Sequence, residues 1–165
     1  GPSSGANANK IIIPSGQTLD ASGATLVPSA GGVMQVITVK AGINTFNSSS
    51  WTNVVSASIT PSSTANKIYV QVCCPGYGGG EGKVTGKARV QRNTTTIREL
   101  ASFWMRETSG SAKASSSSML VLDSPSTTAS VTYNAQVVRS NGSSNLHLDD
   151  VHNGDWVITL MEIAQ

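Results

Sequence analysis

From Val131 to Val138 apolar and polar residues alternate, with Val131, Tyr133, Ala135 and Val137 on one face of an extended chain and Thr132, Asn134 and Gln136 on the other. A period of two predicts a half-buried β-strand. A second apolar run, Met119 to Leu122, precedes it across Asp123-Ser124-Pro125-Ser126-Thr127-Thr128. Pro125 cannot donate to a ladder and Asp123 and Ser124 can close local side-chain turns, so the chain reverses or crosses over here between two strands.

The same alternation predicts strands over Val33 to Lys40, Val54 to Thr60 and Val84 to Arg92. It is clearest in Lys67 to Cys74, where Ile68, Val70, Val72 and Cys74 oppose Lys67, Tyr69, Gln71 and Cys73. Ala41 to Asn53 reads as a turn-rich connection, and the Pro75 to Gly82 and Ser109 to Ser118 segments read as loops. Thr94 to Glu107 is ambiguous, because Ile97, Leu100, Ala101 and Trp104 recur at helical spacing and Thr96 with Glu99 has the spacing of a capping box. The flanking strands and the run of threonines favour an extended hairpin, with its loop near Ala101-Ser102. Asn141-Gly142 and Asn153-Gly154 signal turns around a short strand at Leu146 to Leu148.

The closing segment is apolar on both faces: Trp156, Ile158 and Leu160 on one, Val157, Met161 and Ile163 on the other. Such a strand must be covered twice. One cover is a second sheet of the same domain, and the other a neighbouring subunit. Residues 10–32 point the same way, since Ser15-Gly16-Gln17-Thr18-Leu19 is echoed seven residues later by Ser22-Gly23-Ala24-Thr25-Leu26. Too sparse in apolar groups to bury them alone, this segment is expected to form an extended neck that wraps with other copies around an axis, Ile11, Ile13, Leu19 and Leu26 inward. Gly1-Pro2 has the form of a protease scar, so residues 1–9 are set aside as a disordered lead-in; residues 33–165 form the main domain. About eight short strands with frequent turns imply an all-β, antiparallel β-sandwich of jelly-roll type.

Composition narrows the partners. Charged residues make up 12% of the 165 residues and the formal net charge is +2, which gives no strong field for nucleic acid. No apolar run approaches the roughly 20 residues of a membrane span, and the N-terminus lacks the form of a signal peptide, so no membrane insertion is expected. Cys73 and Cys74 are neighbours that point to opposite faces of a strand, poorly placed to bond each other, and read as free thiols.

Four stretches taken together resemble the C-terminal receptor-binding head of trimeric bacteriophage tail fibres, particularly of marine podovirus-like phages. They are Ile13 to Asp20, Ser58 to Thr64 leading into Lys67-Ile68, the stretch from Leu122-Asp123-Ser124-Pro125 to Thr132-Tyr133, and Ile158 to Ile163. The resemblance implies a homotrimer of β-sandwich heads on a neck, exposed on the virion. There it would attach the particle to a host-surface glycan or outer-membrane protein. Arg98 to Lys113 matches least.

None of these stretches carries catalysis, and the chain is expected to be no enzyme and to need no cofactor. Gly76 to Lys83 fails as a phosphate loop, because Tyr77 stands where its first glycine is required and Val84 where Ser or Thr is required. No Gly-x-Ser-x-Gly elbow frames a nucleophile, and no carboxylate pair is identified for glycoside hydrolysis. His147, Asp149 and His152 are the best-placed metal ligands, set against a plain solvated turn from Asp150 to Asp155, and no metal is expected. The candidate receptor contacts are Tyr77, whose ring can stack on a sugar within a glycine-rich loop, and Glu81, Trp104, Arg106 and Asp149. A purely structural trimer, such as a capsid decoration or fibre cap, is the alternative, ahead of a polysaccharide depolymerase.

Overall fold

The computed structural model describes Ser15 and residues 30–41, 48–74, 77–78, 82–107, 113–114, 117–141 and 155–165. At 74, 77–78, 82–84, 101–107 and 113–114 it describes the backbone alone. The expected neck, except Ser15 and its end at residues 30–32, and the turns and short strand at 142–154 lie outside the described residues.

The described regular elements are strands: β1 (Val33–Ala41), β2 (Thr52–Ile59), β3 (Lys67–Cys74), β4 (Tyr77–Gly78), β5 (Gly82–Arg92), β6 (Thr95–Glu107), β7 (Lys113–Ala114), β8 (Ser117–Asp123), β9 (Val131–Asn141) and β10 (Trp156–Ile163). They form two four-stranded antiparallel sheets, ordered β1-β10-β3-β8 and β2-β9-β5-β6, and a two-stranded ribbon of β4 and β7. The two larger sheets face each other as a sandwich. Most connections between long strands pass from one sheet to the other, β5 to β6 being a hairpin within one.

Alternation places the core. Val131, Tyr133, Ala135 and Val137 of β9 are buried, as are Ile68, Val70 and Val72 of β3 and Trp156, Ile158 and Leu160 of β10. Val55, Ala57 and Ile59 of β2, Ala88 and Val90 of β5 and Met119 of β8 complete the layer between the sheets. The Asp123 to Ser130 connection carries the chain from β8 in one sheet to β9 in the other, as its turn residues predict. Ser126 within it takes a positive φ of 53°.

Residues 95–107 are extended, but the expected loop at Ala101-Ser102 is not there. The hairpin turns instead at Asn93-Thr94, where Asn93 adopts φ 51°, a left-handed conformation that asparagine tolerates better than most residues. Three hydrogen bonds fasten this turn to β9: the Asn93 amide donates to Thr132 O (2.6 Å), Asn93 Oδ1 accepts from the Thr132 amide (3.0 Å) and Asn93 O accepts from Asn134 Nδ2 (3.1 Å). Ala101 and Ser102 fall at a register shift between the pairs Gly86 with Phe103 and Ala88 with Leu100. A bulge absorbs the one extra residue there, so the strand continues.

Candidate interaction surfaces

Two polar pins hold the sandwich so that its outer faces are presented in fixed register. At one end Arg92 Nη1 contacts both carboxylate oxygens of Asp123, at 3.1 and 2.9 Å, and Tyr133 Oη donates to Asp123 Oδ2 at 2.7 Å. Arg92 and Tyr133 belong to one sheet and Asp123 to the other, so the cluster ties the layers together. Burial, reinforced by the Asp123 acceptor and opposed more weakly by the Arg92 guanidinium, pushes the Tyr133 phenol far above its ordinary 10.0, so it stays protonated and donates to Asp123. Tyr133→Phe keeps the ring and loses that hydrogen bond. It is expected to lower unfolding stability by about 1 kcal/mol in chemical denaturation.

The second pin is Glu162, fully buried at the end of β10. Its Oε1 accepts from the Ser62 amide (2.7 Å), Ser62 Oγ (2.8 Å) and Asn66 Nδ2 (2.7 Å), and its Oε2 from Gln35 Nε2 (2.6 Å). Burial alone would raise its pKa, but the donors from Asn66, Gln35 and Ser62 outweigh it and hold the carboxyl below its ordinary 4.5. One side chain thereby joins β1, β10 and the connection between β2 and β3.

The outer faces of the two sheets differ in kind. On β2-β9-β5-β6 polar side chains bond across strands: Ser58 with Thr132 (2.8 Å), Ser56 Oγ to Asn134 Oδ1 (2.8 Å), Gln136 Nε2 to Asn53 Oδ1 (2.5 Å) and Arg89 Nε to Gln136 Oε1 (2.7 Å). The Arg89 guanidinium lies over the Trp51 ring, 4.2 Å from its centroid. Such a face is at home in water.

On β1-β10-β3-β8 the register brings Val36, Met161, Tyr69 and Leu122 into one row across all four strands. The next row is Thr38, Thr159, Gln71 and Leu120, and Val157 and Ile163 extend the apolar area along β10. All four exposed large hydrophobic side chains among the described residues lie on this sheet: Val33 (48%), Val36 (55%), Leu120 (49%) and Leu122 (54%). Its described outward charges are Lys40 and Lys67, with no carboxylate among them. The expectation that β10 is apolar on both faces holds: Trp156, Ile158 and Leu160 are buried, while Val157, Met161 and Ile163 are half-buried. Cys73, exposed and free, sits beside this area.

The sequence-derived contact residues are only partly placed. Tyr77 lies on β4, paired with Ala114 of β7, and this ribbon packs against β6. Trp104 and Arg106 lie on β6, in register with Thr85 and Lys83 of β5. The backbone therefore gathers the segments bearing Tyr77, Trp104 and Arg106 in one region. Glu81, Asp149, His147 and His152 lie outside the described residues. Among the described residues no group of three or more His, Cys, Asp or Glu side chains could hold a metal ion.

The apolar row and the Arg89–Trp51 stack were not anticipated. Leu120 and Leu122 carried a readable signal, since Met119-Leu120-Val121-Leu122 is apolar on both faces like β10. The stack carried none, because it depends on which strands pair.

No family model matches the chain, and no curated protein matches it. Solved structures do. The chain is similar to infectious bursal virus derived T=1 particles (14% identity, TM-score 0.45, 92% of this chain and 36% of that one). It is also similar to the VP2 subviral particle of infectious bursal disease virus (12% identity, TM-score 0.45, 99% and 40%) and to a T13 particle of that virus (13% identity, TM-score 0.44, 90% and 35%). The chain thus spans two fifths or less of the length of these proteins.

Proposed function

We propose that the chain is a non-enzymatic, self-associating β-sandwich domain of a virus particle, with the outer face of β1-β10-β3-β8 as the contact between copies. The observation that carries the reading is the row Val36, Met161, Tyr69 and Leu122, set on one sheet while the opposite sheet is polar. A contiguous apolar area on a soluble domain marks an interaction surface, and the absence of described carboxylates on it lowers the desolvation needed to cover it. A homotrimer is supported by the repeat in residues 10–32 and by the resemblance to trimeric tail-fibre heads. The jelly-roll reading is supported by the two sheet orders, in which eight long strands distribute four to each layer and chain neighbours mostly change layers.

Substitution within the row tests the contact. Leu122→Glu places a charge on the proposed interface, and Gln91→Glu places the same charge on the polar face as a control. Leu122→Glu is expected to weaken self-association at least tenfold, about 1.4 kcal/mol, in sedimentation velocity across a dilution series. The control keeps the parental behaviour. Equal behaviour of the two variants would overturn the assignment of this face.

A second reading, attachment to a host-surface glycan or outer-membrane protein, is favoured by the ribbon bearing Tyr77 lying against the strand that bears Trp104 and Arg106. It predicts that purified protein competes with infecting particles for host cells. Protein that neither coats cells nor competes leaves the structural role alone.

A further inference from the structure

Arg89 points outward at the middle of β5, directly opposite Glu99 on β6. It does not pair with that carboxylate. Glu99 is instead met by Lys87 Nζ at 3.8 Å, and the Arg89 side chain reaches the other way, towards β9 and β2. There Nε donates to Gln136 Oε1 at 2.7 Å, and Gln136 is itself fixed by donating to Asn53 Oδ1 at 2.5 Å. The guanidinium carbon lies over Trp51, 4.2 Å from the ring centroid. Among the described residues neither Nη group has a hydrogen-bond partner.

This is a guanidinium with one edge used for orientation, one face used for stacking and its outer donors unspent. A planar fork held in this way matches the two oxygens of a carboxylate and loses little side-chain freedom on binding. Lys87 offsets Glu99, which leaves the Lys87, Arg89 and Glu99 group with one net positive charge. In the same row across the sheet Asn53, whose Oδ1 accepts from Gln136, keeps its amide nitrogen for a sugar hydroxyl.

We propose that Arg89, stacked on Trp51 and oriented by Gln136, is a binding site for the carboxylate of an acidic sugar on the polar face of the sandwich. The sheet opposite carries the proposed contact between copies, so this site and self-association stand or fall separately. One site of this kind is weak, and several copies on a particle would raise avidity without new contacts.

The test is a nuclear magnetic resonance titration of the full chain with glucuronate, its uncharged methyl ester, glucose and inorganic sulfate. The readouts are the Arg89 Nε–H and Trp51 indole signals. Glucuronate is expected to shift both, while the ester and glucose leave them in place and sulfate acts at least tenfold more weakly. Arg89→Lys, which keeps the charge and loses the fork, should weaken glucuronate binding about tenfold. Gln136→Leu, which releases the orientation but not the charge, should weaken it less. No shift with glucuronate, an equal shift with glucose, or sulfate as effective as glucuronate would each overturn the proposal.

Discussion

Glu162→Gln is expected to destabilise the domain by about 2 to 3 kcal/mol, because it alters a buried, charge-assisted cluster without opening a cavity. The carboxylate presents acceptors to every neighbour: Ser62 N and Oγ and Asn66 Nδ2 on one oxygen, Gln35 Nε2 on the other. An amide replaces one acceptor with a donor. If that donor faces Gln35, two N–H groups oppose each other, and rotating the Gln35 amide forfeits its 2.8 Å bond to Thr60 O. The sign with pH follows from the depressed pKa. The carboxylate's contribution is complete above the unfolded value of about 4.3 and disappears as pH falls through the lower folded value. The midpoint of thermal unfolding of the parent should therefore fall more steeply on acidification than that of Glu162→Gln. The gap between the two proteins should close at low pH, and a constant gap would show that the carboxylate's charge has no part in it.

Leu160→Ala is expected to cost about 3 to 4 kcal/mol, within the range for deleting a fully buried leucine side chain. Leu160 is 0% exposed at the centre of β10, between Ile37 of β1 and Val70 of β3, and it faces the opposite sheet. Its neighbours are held by backbone ladders on both sides, so they cannot collapse into the space. The adjacent Thr159→Ala, on the outer face, is expected to change stability by less than about 1 kcal/mol. Denaturation midpoints should be compared at one protein concentration, since association adds to apparent stability.

The alternation in Val131 to Val138 and Lys67 to Cys74 is legible because each strand turns apolar side chains into the core and mostly polar ones outward. The β6 segment misled for an identifiable reason. Ile97 has no partner in the register, lying between the pairs Val90 with Arg98 and Gln91 with Thr96. A bulge of this kind moves the next inward position to three residues away, and Ile97 and Leu100 both pack against the core. That spacing imitates a helix. The bulge is set by pairing with β5, which local sequence does not encode.

The surfaces divide in the same way. An apolar second face on β10 could be read from the strand itself, but the row it completes with Val36, Tyr69 and Leu122 exists only through strand order. The Arg89–Trp51 stack likewise joins β5 to the start of β2 through Gln136 of β9. The Met119 to Val138 stretch serves both arrangements: it contributes Leu120 and Leu122 to one outer face and Gln136 to the other, while Asp123 and Tyr133 lock the layers between them.

The mass of the unmodified chain in solution, measured by sedimentation equilibrium, bears most directly on the proposed self-association through the β1-β10-β3-β8 face. A species of three times the 17.0 kDa chain mass is the predicted result. A single species of 17.0 kDa at every concentration would contradict it.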